Sequence, residues 1–190
     1  AGGNTAKVLI ASYTIGSNQN SPERVAESLI ASYPGESLET RKITEELKRE
    51  KLDVLVDAGL TEMRMGIQTA GERTKVLYKR PHSNEEVENA VVMVNDYKHK
   101  VKAYYDIILD SPWDTDEDAI QTLMFLSKLP TPYVLNLFSL LFYPGTDLYR
   151  KAKKDGIVKD DVNDIYRKHY HGCRPTFLND LHFLLNEYVS

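Results

Sequence analysis

Cysteine is nearly missing from this chain: Cys173 is the only one in 190 residues. One thiol excludes an intrachain disulfide and any metal or iron–sulfur site built from cysteines alone, and Cys173 itself reads as a tail thiol with no special role. Long apolar runs are missing too. None approaches the ~18 consecutive residues that a membrane-spanning helix needs, and no charged-then-apolar leader precedes a small-residue cleavage site. The expectation is therefore a cytoplasmic chain with no membrane partner. Neither charge dominates: 24 Lys and Arg against 28 Asp and Glu give a net −4, without the basic concentration of a nucleic-acid groove. An initiator methionine is also lacking, since the chain opens at Ala1, as after processing, tagging or truncation. What is present is 42% hydrophobic, 9% aromatic and 27% charged, the composition of a soluble globular protein with one core.

Short apolar runs alternate with capped amphipathic stretches. Lys7 to Thr14 reads as a buried strand. Ser21-Pro22 then caps a helix in which Val25, Ala26, Leu29 and Ile30 recur at helical spacing. A weak strand follows at Leu38 to Ile43. Thr44 caps a helix with Leu47, Leu52, Leu55 and Val56 inward and Gly59 at its end. Glu62 to Gln68 alternates as a third strand. Ser83 and Glu86 have capping-box spacing, ahead of Val87, Ala90, Val91 and Val94. Val101 to Leu109 is a fourth strand, Thr115 and Asp118 open the next helix, and Tyr133 to Leu141 is a fifth strand before a turn at Pro144-Gly145. The last thirty or so residues read as a helical tail with an apolar stripe, Phe177, Leu178, Leu181, Leu184 and Leu185. Strands alternating with single helices predict an α/β fold with a parallel sheet. An open doubly wound sheet and a partial (βα) barrel both satisfy that pattern, and both place ligands at the carboxyl ends of the strands.

Several strand ends carry polar groups. Arg64, Gly66 and Gln68 share one face of the third strand. A glycine beside a carboxamide leaves room for a ligand and offers a donor and an acceptor; a tight strand-to-helix turn would use the same residues. Asp106 interrupts an apolar run, where a carboxylate needs partners. A sugar diol would serve, as would Arg64 or a nearby tyrosine. Asn136 lies on the fifth strand. Arg80 could clamp a carboxylate in bidentate fashion or be an ordinary exposed arginine. The loop Ser12 to Ser21 could cradle a phosphate as flavodoxin-type loops hold flavin mononucleotide, or simply lead into an N-cap. Tyr166 to His171 lacks metal-ligand spacing and reads as surface or tail packing.

Leu52 to Arg80 (LDVLVDAGLTEMRMGIQTAGERTKVLYKR) followed by Pro81-His82-Ser83, Tyr104 to Thr115 (YYDIILDSPWDT) and Leu135 to Tyr149 (LNLFSLLFYPGTDLY) resemble, in order and spacing, the radical S-adenosylmethionine superfamily. The subgroup with an amino-terminal cobalamin-binding domain is the most similar, and Val8 to Ala31 resembles that family's second barrel strand and helix. The resemblance implies a partial (βα)₆ barrel over residues 1–158, followed by a helical tail over 159–190. It implies a [4Fe–4S] cluster on a Cys-x-x-x-Cys-x-x-Cys loop, which reduces S-adenosylmethionine to start radical chemistry, and possession of cobalamin by the full-length parent. It also implies roles for single residues. Gln68, beside Gly66, would stand near the methionyl and ribose groups, Arg80 would pair with the methionyl carboxylate, and Asp106 would accept from the ribose hydroxyls. Asn136 through Pro144 and Gly145 would flank the adenine.

Three departures stand out. Asp110-Ser111-Pro112-Trp113 replaces the family's Gly-x-Pro-Gly after the fifth barrel strand, Ser12-Tyr13-Thr14 stands where a Gly-Gly-Glu motif would follow the first visible strand, and the cysteine loop has no counterpart. The expectation is thus a fragment of a radical enzyme, silent by itself, acting in its parent on a small-molecule substrate that the sequence does not identify. Alternatives are a cluster-less binding or scaffolding relative and a flavodoxin-like flavin protein. A barrel cut before its first strand would expose a parallel edge, which a second copy or the tail helix would cover.

Overall fold

The computed structural model describes residues 9–11, as backbone, together with 49–80 and 82–190. The loop Ser12 to Ser21, the helix after it, the weak strand Leu38 to Ile43 and the cap at Thr44 lie outside the described residues.

Period-two alternation produces the sheet. In β2 (Glu62–Gln68) Met63, Met65 and Ile67 are buried, while Glu62, Arg64, Gly66 and Gln68 are half-buried on the other face. In β3 (Lys102–Leu109) Ala103, Tyr105, Ile107 and Leu109 are buried, and β4 (Val134–Ser139) buries Leu135 and Leu137. A short β1 (Leu9–Ala11) pairs with β2. All pairings are parallel, and the described strands lie in sequence order, β1-β2-β3-β4. The fold is α/β with a parallel sheet and a C-terminal helix, consistent with a partial (βα) barrel.

The helices begin where their caps dictate. α1 (Arg49–Asp57) buries Leu52 and Val56 and is followed by Gly59 at φ +98°, the left-handed conformation that glycine adopts without penalty. α2 (Glu72–Leu77) was not apparent in the sequence, for two physical reasons. Its six residues are too few to show a period, and its N-cap, Gly71, offers no side chain. The space beside Gly71 is tight, because a Cβ there would stand 3.2 Å from the Asp118 Cβ and carbonyl oxygen. α3 (Asn84–Asn95) and α4 (Asp116–Lys128) each open with a closed capping box, Ser83 with Glu86 and Thr115 with Asp118, as their spacing predicts. Thr146 caps α5 (Asp147–Lys154), a π-helical turn follows at Val162–Tyr166, and Thr176 caps α6 (Phe177–Val189). α4 buries Asp118, Thr122 and Leu126 and leaves Ile120 and Met124 exposed. Its inward face is partly polar because Thr122 Oγ1 meets Thr69 Oγ1 at 3.1 Å and accepts from the Ala70 N–H at 3.1 Å.

The buried faces of β2, β3 and β4 form the main core with α1, α3 and α4. Val189 of α6 belongs to it, and Leu185 and Cys173 pack against it. Phe142, Ala152, Val158 and Ile165 form a second, smaller cluster. The tail covers one edge of the sheet. Tyr133 N–H donates to the Val189 carbonyl at 3.1 Å, Leu135 N–H to Asn186 Oδ1 at 2.6 Å, and Ser139 N–H to the Tyr170 carbonyl at 2.7 Å. The outward amides of Leu135 and Ser139 in β4, and of Tyr133 just before it, thereby gain acceptors that a bare edge lacks.

Candidate functional site

The half-buried face of the sheet carries the polar residues, and register brings three of them into one transverse row. Gly66 pairs with Asp106, and Asp106 pairs with Asn136. Without a side chain at Gly66, the Gln68 amide folds back over that position: a Cβ there would stand 2.4 Å from Gln68 Nε2. The fold-back depends on an irregular strand end. Register shifts between Gly66 and Gln68, and Gln68 turns the chain at φ +67°. A non-glycine residue rarely holds that conformation unless its surroundings enforce it. Arg80, just beyond α2, reaches back so that its Nη1 donates to the Gly66 carbonyl at 3.4 Å. Gly66, Gln68 and Arg80 therefore meet, as do Gly66, Asp106 and Asn136.

Asp106 is the electrostatic centre of the row. Its Oδ1 accepts from Asn136 Nδ2 at 2.8 Å and lies 3.5 Å from Arg64 Nε. Burial raises its pKa above the ordinary carboxylate value, and the Asn136 bond and Arg64 charge only partly oppose that rise. Both partners address Oδ1, and among the described residues nothing bonds to Oδ2. A half-buried carboxylate with one oxygen engaged, and the other unbonded among the described residues, suits an acceptor role toward a hydroxyl or amide. Gln68 adds a carboxamide and Arg80 a guanidinium, so the row and its surroundings offer acceptors, donors and positive charge within one region.

Pro144 and Gly145 stand apart, in an exposed turn whose bonds are local. Gly145 has φ +95°, Thr146 Oγ1 donates to the Tyr143 carbonyl at 2.8 Å, and Arg150 Nη2 donates to the Gly145 carbonyl at 2.8 Å. They shape the start of α5. Among the described residues no three His, Cys, Asp or Glu side chains are grouped to hold a metal ion.

Two features at the carboxyl end of the sheet were not read from the sequence. Asp110, at the position where the resemblance expects glycine, keeps the glycine-like conformation, with φ +63°. Asp is among the few residues that tolerate it. Its carboxylate accepts from Arg174 N at 3.0 Å, Arg174 Nε at 3.1 Å and Asn179 Nδ2 at 2.8 Å. Burial alone would raise its pKa, but the bonds from Asn179 and the Arg174 backbone, with Ser139 and the Arg174 side chain, hold it below the ordinary value. The second feature is an aromatic group. Tyr170 and His171 pack on Phe138 with ring centroids 5.8 and 5.4 Å away, and His169 stacks on Tyr170 at 4.6 Å. Sequence alone reads the YRKHYH run as surface or tail packing, and its contact with Phe138 of β4 is too long-range to be read from local spacing. A separate cleft of about 230 Å³, lined by Arg73, Thr74, Leu77, Trp113, Asp114 and Lys151, lies away from this row.

No family model matches the chain, and no curated protein matches it. Among solved structures it is similar to the archaeal Methanocaldococcus infernus Elp3 with an N-terminus deletion (1-46). The identity is 22% and the TM-score 0.47, over 59% of this chain and 26% of that one. A likeness of that size leaves the function to be argued from the site itself.

Proposed function

We propose that this chain is the cofactor-holding part of a radical S-adenosylmethionine barrel, with the open face of the sheet as its S-adenosylmethionine site. The observation that carries the proposal is the Gly66–Asp106–Asn136 row, with Gln68 folded over the glycine and the open oxygen of Asp106 beside it. These donors and acceptors match the ligand's own groups. Asp106 Oδ2 would accept from a ribose hydroxyl, Arg80 would face the methionyl carboxylate, and Gln68 would donate or accept between them. When bound to a reduced cluster, S-adenosylmethionine supplies a carbon radical for hydrogen abstraction. One cysteine cannot supply the thiolates such a cluster needs, so the chain by itself fits the binding role and no cleavage step is assigned to it. Cobalamin, which the subgroup resemblance implies for a full-length parent alone, has no part in this reading. The substrate of a parent enzyme would be a small molecule bound against the same face.

Titration with S-adenosylhomocysteine by calorimetry tests the reading without a cluster. Saturable binding at one site is expected, weakened at least tenfold by Asp106→Ala and by Gln68→Ala. Absence of saturable binding, or binding indifferent to Asp106→Ala, would refute it.

A further inference from the structure

The aromatic group brought by the tail stands at the rim of the same face. Phe138 lies two residues beyond Asn136 on β4, so the two side chains point to the same side of the sheet. Tyr170 and His171 are laid on Phe138, and Tyr170 and His171 are 4.3 Å apart between centroids. These rings are not sealed into a core: Tyr170 is 45% exposed, and His169 and His171 are exposed as well. An exposed cluster of flat rings on a sheet face offers stacking surface, and such surface favours another flat ring in offset or edge-to-face contact.

The cluster is also held in place. The Tyr170 carbonyl takes the Ser139 N–H at 2.7 Å, and a few residues on, Asp110 takes both the backbone and the side chain of Arg174. Asn179 Nδ2 bridges Asp110 to the Arg174 carbonyl, at 2.8 Å to each. The segment between Tyr170 and Asn179 is thus tied to the carboxyl ends of β3 and β4, where parallel sheets place their ligands.

We propose that this tail segment is a wall of the binding site: Tyr170 and His171 on Phe138 receive a flat aromatic or heteroaromatic ring of the substrate, and Asp110 is the positioning residue that fixes the wall. The proposal rests on the open face being the ligand site and adds the chemical class of what binds there. Asp110 touches no ligand and acts through Arg174 and Asn179.

Indole serves as the flat-ring probe, with cyclohexanol as a non-aromatic control, each titrated into the full chain and followed by NMR. Indole should shift the ring resonances of Tyr170 and His171, and cyclohexanol should not. Tyr170→Ala and His171→Ala should each weaken indole binding at least fivefold. Asp110→Ala should move the ring-current shifts of Tyr170 and His171 in the folded protein, and Asp110→Asn, which keeps an acceptor oxygen, should restore most of them. Indole binding that ignores Tyr170→Ala and His171→Ala, or equal binding of cyclohexanol, would overturn the proposal. So would ring shifts that Asp110→Ala leaves unchanged. S-adenosylhomocysteine binding is the separate readout. If it fails while indole binding depends on Tyr170, the cofactor reading falls and the wall stands; the reverse result removes the wall and leaves the cofactor reading.

Discussion

Replacing His182 by leucine should make this protein more stable, and more so in mild acid. His182 is completely buried in α6, which packs against α4 and β4. Its Nδ1 lies 2.8 Å from the Leu178 carbonyl, and a carbonyl only accepts, so Nδ1 carries the proton. Nε2 is then a bare lone pair, shielded from solvent and, among the described residues, without a hydrogen-bond partner. An orphaned buried acceptor costs about 1–3 kcal/mol. Leucine removes it at similar volume and gives up only a second bond to a carbonyl already within the helix, so about 1 kcal/mol of net stabilisation is expected at pH 7.5. Acid enlarges the difference. Burial lowers the pKa of His182 in the folded state, so below the unfolded value of roughly 6.5 the unfolded chain binds the proton first. Folding stability therefore falls as pH drops through that value, with a limiting slope of about 1.4 kcal/mol per pH unit from this one group. Urea unfolding followed by circular dichroism at pH 7.5, 6.5 and 5.5 measures both effects. The variant should show the higher midpoint throughout and a shallower decline between pH 6.5 and 5.5. Parallel declines, or a variant about 2 kcal/mol less stable at pH 7.5, would refute the reasoning by showing that Nε2 has a partner worth keeping.

Asp106→Asn should leave the fold intact or slightly firmer. Burial raises the folded pKa of Asp106 above its unfolded value, so its ionised form opposes folding at neutral pH. The same change should weaken S-adenosylhomocysteine binding, and in the wild type that binding should fade on acidification at a pH above the ordinary carboxylate range, as calorimetry across pH 4 to 7 would reveal. Ser83→Ala opens the capping box of α3, in which Ser83 N–H donates to Glu86 Oε2 at 2.6 Å and Glu86 N–H to Ser83 Oγ at 3.1 Å. It should cost about 1 kcal/mol in urea unfolding. Asp110→Gly and Asp110→Ala both lose the bonds to Arg174 and Asn179, but only alanine must also hold the left-handed backbone. The alanine variant should be the less stable by about 1 kcal/mol, and equal midpoints would show that the backbone at φ +63° is unstrained.

How legible this molecule was depends on the range of each contact. Alternation in Glu62–Gln68 and Lys102–Leu109 announced two strands and the face each buries, because period two is written into neighbouring residues. The boxes at Ser83 and Thr115 were equally local and are closed as their spacing predicts. Asp106 was conspicuous as a carboxylate in an apolar run, and the sequence already offered Arg64 as a structural partner. The ion pair exists, yet the closer partner is Asn136, which only the pairing of β3 with β4 supplies. α2 leaves no sequence signal because its six residues are too few for a period and its N-cap, Gly71, has no side chain. The α6 stripe was read as one face, whereas Phe177 and Leu184 are exposed and His182, Asn179 and Val189 are buried. A composition-based stripe cannot foresee that the inward positions include an asparagine tied to Asp110.

That tie gives the departure from the glycine pattern a physical meaning. Glycine at this turn would satisfy the backbone and leave the space beside it empty. Asp110 satisfies the same backbone and fills that space with an acceptor for two residues of the tail. The turn at Asp110 and the tail are therefore not independent features. Where the turn carries aspartate, the chain gains an anchor at the carboxyl end of β3 and can fasten a covering segment there. With Arg174 and Asn179 bonded to it, Asp110 makes the turn the fixed point from which Tyr170 and His171 reach Phe138. The anchoring aspartate and the aromatic rings at the rim of the open face thus belong to one arrangement.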